Sequence, residues 1–262
     1  MSAQPSPFRN RILRPHSARA TRILFIAEYA PDEFAPIAKT FPGDGGYPAY
    51  HHAIWEVLTD IGYSVRSSSS PTAALFSGKD IDFVFSLYNR MPINNSEVMV
   101  SAFCEYARVP YLGAPPNIRA LAEDKWLTKL AARSIGIPTP EGIPYRDRGA
   151  LEQSPNFPGP YFVKNRFGAA SEGIGPASLQ DTWEGAKIVA LDLIEQGMSV
   201  LVERYAPGID VTVPILGSTP PMVLGHVHPR SNEVGQILTE DLKMDDPLGY
   251  EMYDIGTVSK VV

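Results

Sequence analysis

Residues 160–175 read PYFVKNRFGAASEGIG and residues 199–210 read SVLVERYAPGID. Each segment opens on an apolar run of strand length that ends in a charge, Lys164 in the first and Glu203 in the second. Between them, Ser178–Gln196 has the length of a long helix, with Ser178 as N-cap, Asp181 three residues on and Gly197 as the stop. Further strands are expected at Val211–Leu216 and Met222–His228, joined by hairpin-like PG and STPP links. Upstream, Glu123–Ile135 reads as a helix ending at Gly136. Residues 121–262 therefore read as an α+β domain with an antiparallel sheet.

The preceding residues follow another plan. Arg22–Ala27 (RILFIA) reads as a buried parallel strand. Tyr50–Ile61 carries Ile54, Val57, Leu58 and Ile61 at helical spacing, and Gly62 ends it. Strands are expected at Tyr63–Arg66, Ile81–Leu87 and Pro110–Gly113. Asn94–Arg108 reads as a second helix, with Val98, Phe103, Tyr106 and Ala107 as inward candidates. This alternation predicts an α/β domain with a parallel sheet over residues 22–120. Residues 1–21 form a basic leader: Arg9, Arg11, Arg14 and Arg19 occur without any acid. It reads as a disordered N-terminus, with an organelle transit peptide as the alternative.

Composition bounds the function classes. The chain has 262 residues, 44% hydrophobic and 20% charged, the values of an ordinary globular protein with room for two domains. A single cysteine, Cys104, excludes a disulfide framework and a cysteine-based zinc site within the chain, and fits a reducing, cytoplasmic setting. No apolar run approaches the roughly 18–20 residues of a membrane span. The net charge of −6 argues against nucleic acid as the main partner.

The common phosphate loops are absent. There is no GxxxxGK[ST]; Ser77-Gly78-Lys79 lacks the upstream glycine. There is no GxGxxG, because Gly173-Ile174-Gly175 has no third glycine. HExxH and GxSxG are also missing. A different set of groups remains. Lys125 and Lys164, from separate elements, can neutralise adjacent phosphates as compact charges. The loop of Gly, Ala and Ser residues that includes Ser171 can fold over those phosphates and offer backbone N–H groups. Glu203, Arg204, Tyr205 and Ala206 offer backbone groups to a purine edge, and Asp210 can accept hydrogen bonds from ribose hydroxyls.

Taken together these segments resemble the ATP-grasp superfamily, and within it the D-alanine–D-alanine ligase-like branch. Ala122-Glu-Asp-Lys125-Trp-Leu-Thr-Lys129 followed by Gly136-Ile-Pro-Thr-Pro140 resembles the family's "DK..tK......GIPTP" run. Pro160-Tyr-Phe-Val-Lys164 with Ser171-Glu-Gly173 resembles "P.vVKP....SS.G". Residues 200–213 resemble "vlvE.fi.G.E.tv", and Val109-Pro-Tyr-Leu-Gly113 resembles "iPytG". The resemblance covers about residues 22–225. It implies an ATP-dependent carboxylate–amine ligase that works through an acyl phosphate on an amino acid or peptide-like substrate, with ATP and Mg²⁺ as cofactors. It also implies that Lys125 and Lys164 meet ATP phosphates, that Ser171 belongs to the covering loop, that residues 203–206 form the adenine hinge, and that Asp210 takes the ribose position. There Asp replaces the more usual Glu.

Some family features have no counterpart. Asn165 follows Lys164 where the family has proline, and the "HG..GEDG" segment is replaced by Tyr88-Asn-Arg-Met-Pro-Ile-Asn-Asn. The family's "E.N..PG" metal-binding segment does not occur before Val262; Asn232-Glu233-Val234-Gly235 has the wrong order. The expectation is an ATP-grasp domain that is short at its C-terminus, with no assigned magnesium ligands. Met252-Tyr-Asp-Ile…Lys260 corresponds, across a gap, to the family's "YDY..K" closing loop, which makes Lys260 a further phosphate candidate. The alternative readings are a non-catalytic nucleotide-binding protein completed by a partner, or a fragment of a longer ligase. The apolar helices of the first domain leave internal packing and a homodimer both open.

Three other groupings carry less. His226-Val-His228 puts two imidazoles on one strand face, and a metal site would need a third ligand. His51-His52 precedes a helix, and adjacent residues do not share a face. Glu240-Asp241 and Asp245-Asp246 read as a solvated acidic loop, with a surrogate cation site as the alternative.

Overall fold

The computed structural model describes residues 21–31, 47–76, 78–88, 98–169, 171, 173–208, 210–216, 220–223, 225–229, 237, 239 and 250–253. The chain divides into two compact units, Met1–Ala120 and Leu121–Val262.

In the first unit, β1 (Arg22–Ile26) lies between two parallel neighbours, β2 (Ser64–Ser68) and β3 (Phe83–Ser86). Its side chains alternate between two cores, as a strand covered on both faces requires. Leu24 and Ile26 pack with Val84, Val100 and Cys104, while Ile23 and Phe25 pack with Leu58 and Ala30. Helix α1 spans Tyr47–Asp60, so His51 and His52 lie inside it rather than before it. The apolar positions of α1 are divided. Leu58 is buried and Ile54 packs beside it, but Val57 and Ile61 face outward. Gly62, at φ +98°, reverses the chain after the helix.

Helix α2 (Val98–Ala107) buries Val100, Ser101 and Cys104, with Phe103 and Ala107 at the margin of the same face. Tyr106, expected inward, is 82% exposed. The face through 100, 103, 104 and 107 is set by i,i+3 and i,i+4 spacing, and position 106 falls outside it. The expected strand at 110–113 reduces to one parallel bridge between Val84 and Tyr111. Pro110 has no N–H to give, and Gly113 at φ +103° turns the chain away, so only Pro110 O and Leu112 N reach Val84. At the start of β1 the Arg22 guanidinium hydrogen-bonds the Asp82 carboxylate, just before β3, and holds its pKa down at about 2.

The second unit holds an antiparallel sheet in the order β4 (Gly142–Tyr145), β7 (Val200–Arg204), β5 (Tyr161–Asn165), β6 (Leu179–Gln180). The strand β4 is absent from the sequence expectations, because GIPY is short and contains a proline. The helix expected at 123–135 is found two residues shorter at its start, and a helix not expected from the sequence precedes it, running across the boundary at residue 120. Helix α3 (Pro116–Glu123) opens with proline in the first turn, where its missing N–H costs nothing. Helix α4 (Lys125–Ser134) then restarts behind Asp124, whose extended backbone and accepting carboxylate make it the N-cap.

Helix α5 also differs from expectation. It spans Trp183–Glu195, because Leu179 and Gln180 pair with β5 instead of coiling. Thr182 is its N-cap, accepting from Gly185 N at 3.2 Å, whereas Ser178 Oγ accepts from Gly175 N in the turn before. α5 presses Ala186, Ala190 and Leu193 onto Val163, Val200 and Val202, and Tyr145 and Leu151 close the same core.

Beyond β7, β8 (Ile215–Leu216) and β9 (Met222–Val223) form the hairpin expected at the STPP link. The PG link does not make one, since β7 pairs with β4 and β5. Two further strands, β10 (His226–Pro229) and β11 (Tyr250–Tyr253), are antiparallel. Among the described residues no helix is long and apolar enough to cross a membrane. Thr182→Ala is expected to lower the unfolding free energy by about 1 kcal/mol, and Thr182→Ser to preserve it, by urea denaturation followed by circular dichroism.

Candidate functional site

The site is built from the start of α4, the end of β5 and the end of β7. Asp124 is buried and accepts from Trp126 N at 3.0 Å and Leu127 N at 3.2 Å, two N–H groups with no partner inside the helix. Its carboxylate also takes a two-pronged contact from Arg166, with Nε at 2.8 Å and Nη2 at 2.6 Å. Burial alone would raise the Asp124 carboxyl pKa. The guanidinium and the two N–H groups outweigh it and hold the carboxyl below its ordinary range. Arg166 is in turn raised, chiefly by the Asp124 hydrogen bond. The backbone completes the seam: Lys125 N donates to Arg166 O at 3.1 Å, and Arg166 N donates to Ser199 O at 2.7 Å.

This seam places Lys125 and Lys164 around one loop. Lys125 Nζ donates to the carbonyls of Phe167 at 3.0 Å and Gly168 at 2.8 Å, at the loop's first turn. Within the loop, Gly168, Ser171 and Gly173 have φ values of +81°, +63° and +71°. Ser171 is thus a non-glycine residue in left-handed backbone, a conformation that costs energy and persists where the surroundings impose it.

On β7, Glu203 sits opposite Gly142 on one side and Phe162 on the other. It is a buried carboxylate with a cation on each oxygen. Lys129 Nζ lies 2.5 Å from Oε1, and Lys164 Nζ contacts Oε2. Lys129 is itself buried, and burial lowers its pKa more strongly than the Glu203 partner raises it. The residues after Glu203 are held by the backbone: Arg204 N donates to Glu141 O at 2.9 Å and Tyr205 N to Pro160 O at 2.7 Å. Those two N–H groups are therefore turned into the protein.

These elements enclose a cavity of about 420 Å³. Lys125, Lys164, Ser171, Glu203, Arg204, Tyr205, Ala206 and Asp210 all line it, with Phe162 and Ile174 among the apolar walls. Eight of the nine residues selected from the sequence thus meet in one place. The ninth, Lys260, and the acidic pairs at 240–241 and 245–246 lie outside the described residues. Three charged residues of the cluster have no role in the sequence reading, Asp124, Lys129 and Arg166. Lys129 stands one helical turn after Lys125, and i,i+4 spacing puts both on the same face of α4. That spacing was a usable signal; Arg166 has none, because only the fold brings it to Asp124.

Magnesium fits the described residues poorly. No group of three or more His, Cys, Asp or Glu among them could hold a metal ion. Glu203, the buried carboxylate of the cavity, has both oxygens on lysines. His226 lies buried at the start of β10.

The Asp124–Arg166 contact has a testable pH signature. A carboxyl held low stabilises the fold in full above its unfolded value of about 4, and that stability is lost as the pH falls through the lower native value. Asp124→Asn should cost about 3 kcal/mol at pH 7 in urea denaturation. The gap between variant and wild type should narrow progressively in titrations below about pH 4.

No family model matches the chain. It is 30% identical over 146 residues to a D-alanine–D-alanine ligase of Oleidesulfovibrio alaskensis, covering 55% of this chain and 46% of that protein. It is 28% identical over 188 residues to the D-alanine–D-alanine ligase of Carboxydothermus hydrogenoformans, covering 66% of this chain and 56% of that one. The chain spans about half the length of the curated relatives it matches. Among solved structures it superposes on the D-alanine–D-alanine ligase of Bacillus anthracis complexed with ATP, with a TM-score of 0.57 and 17% identity, over 89% of this chain and 80% of that one. The chain is D-alanine–D-alanine ligase-like in sequence and has the ATP-grasp fold.

Proposed function

We propose that the chain works as an ATP-dependent carboxylate–amine ligase, activating an amino acid or peptide-like acid as its acyl phosphate for attack by an amine. The observation that carries this reading is the convergence of two lysines, a left-handed small-residue loop, a strand-end hinge and Asp210 on one cavity. In it, Lys164 would meet the phosphates as a point charge, and Lys125 would brace the loop that covers them. With Arg204 N and Tyr205 N turned inward, an adenine edge would use the carbonyls of this stretch and the Ala206 N–H. Phe162 and Ile174 would flank the ring, and Asp210 would accept from the ribose. Phosphoryl transfer rests mainly on positioning and charge neutralisation, which is what these groups supply. Magnesium would arrive with ATP and be the main counter-charge of the phosphates. We place the activity in the cytoplasm.

The purified protein, mixed with Mg-ATP and a panel of amino acids beginning with D-alanine, should release phosphate in an amine-dependent way. Failure to bind ATP would overturn the reading. Lys164→Ala should weaken ATP binding by about tenfold or more in isothermal titration, the scale of one charge-assisted contact. Lys79→Ala, in the first unit, should leave it unchanged. Equal affinities for the two variants would remove Lys164 from the site.

A further inference from the structure

Three charges stand in a row, Lys129, Glu203 and Lys164, of which the two outer ones are cations and the last two line the cavity. They are not equivalent. The Lys164 side chain keeps 20% of its exposure and lines the cavity, whereas that of Lys129 keeps 8% and does not appear in the lining. The strand beside them makes room for this arrangement. A Cβ at Gly142 would lie 3.3 Å from both Glu203 Cγ and Lys129 Cε, so the two side chains pack over the bare backbone of β4. Lys129 is thus seated behind Glu203, outside the lining of the cavity.

We propose that Lys129 is a positioning residue for polyphosphate binding: it occupies Glu203 Oε1, so that the Glu203 charge is not spent on Lys164 alone and the trio keeps one net positive charge at the cavity. The inference rests on the nucleotide reading above. Without Lys129, Glu203 and Lys164 form a neutral pair, and the whole carboxylate charge offsets the Lys164 ammonium in a setting where such an attraction is strong. With Lys129 in place, the carboxylate is shared. The ammonium that faces the cavity is then held at one point by Glu203 while its charge still acts on a phosphate.

This makes a prediction that general structural damage does not. Lys129→Met should weaken ATP binding about tenfold, on the scale of one charged contact, while adenosine affinity changes by less than about twofold. Lys129→Met/Glu203→Gln removes the charge behind Lys164 together with the carboxylate, returns the trio to one positive charge, and should recover ATP affinity to within about threefold of wild type. Because the double variant leaves no unpaired buried carboxylate, it also serves if Lys129→Met alone fails to fold. All affinities are to be read by isothermal titration against ATP and against adenosine at millimolar concentration. Parallel losses for ATP and adenosine would overturn the proposal, as would a double variant as weak as the single one. ATP binding by Lys129→Met equal to that of wild type would do the same. If the wild-type protein itself binds no ATP, the nucleotide reading fails first and takes this inference with it.

Discussion

The site depends on one carboxylate, that of Asp124. It caps α4, grips the Arg166 guanidinium with both oxygens, and is buried while doing so. Arg166 follows β5 directly, so this single group ties the first turn of a helix to the end of a strand 42 residues away. Lys125 is the residue after Asp124, and Lys164 lies two before Arg166. Where the clamp closes, the two lysines must be near each other. A buried ion pair of this kind adds little net stability over an apolar pair of the same size, but breaking one side of it is costly. Its value lies in the geometry it enforces.

Glu203 is the second constraint. A lone buried carboxylate would be expensive, and here the cost is offset by a cation on each oxygen. Gly142 leaves the space in which Lys129 and Glu203 pack, and the register of β4 against β7 puts that glycine opposite Glu203. The strand pairing and the electrostatics are therefore one arrangement. At the end of β7 the N–H groups of Arg204 and Tyr205 are taken by Glu141 and Pro160, and this fixes the backbone along that wall of the cavity.

How much was legible in advance differs by element. β1, β5 and β7 announce themselves as short apolar runs; burial on both faces explains β1 and β7, whereas β5 buries Tyr161 and Val163 and turns Phe162 and Lys164 to the cavity. Helix starts were harder. Ser178 has the features of an N-cap, yet the backbone pairing of Leu179 and Gln180 with β5 delays the helix until Thr182 can cap it. Sheet pairing is a long-range decision that no local capping signal reports. β4 is invisible for the same reason: GIPY becomes a strand because β7 offers it partners. Tyr106 is misplaced because aromatic character says nothing of which helix face a neighbour will cover.

For the site, the residue types and their order were enough to select the lysines, the small-residue loop, the hinge and Asp210, since each carries chemistry that phosphates or a nucleoside require. That a cavity unites them was decided by tertiary structure alone. So was the pairing of Glu203 with two lysines, because it depends on a helix, two strands and a glycine meeting at one point. The sequence by itself determined the alternation of elements and the chemistry available, which are local properties of the chain. Which charges meet, which N–H groups turn inward and which lysine faces the cavity were settled only by folding, because ion pairs and burial are relations between segments far apart in sequence.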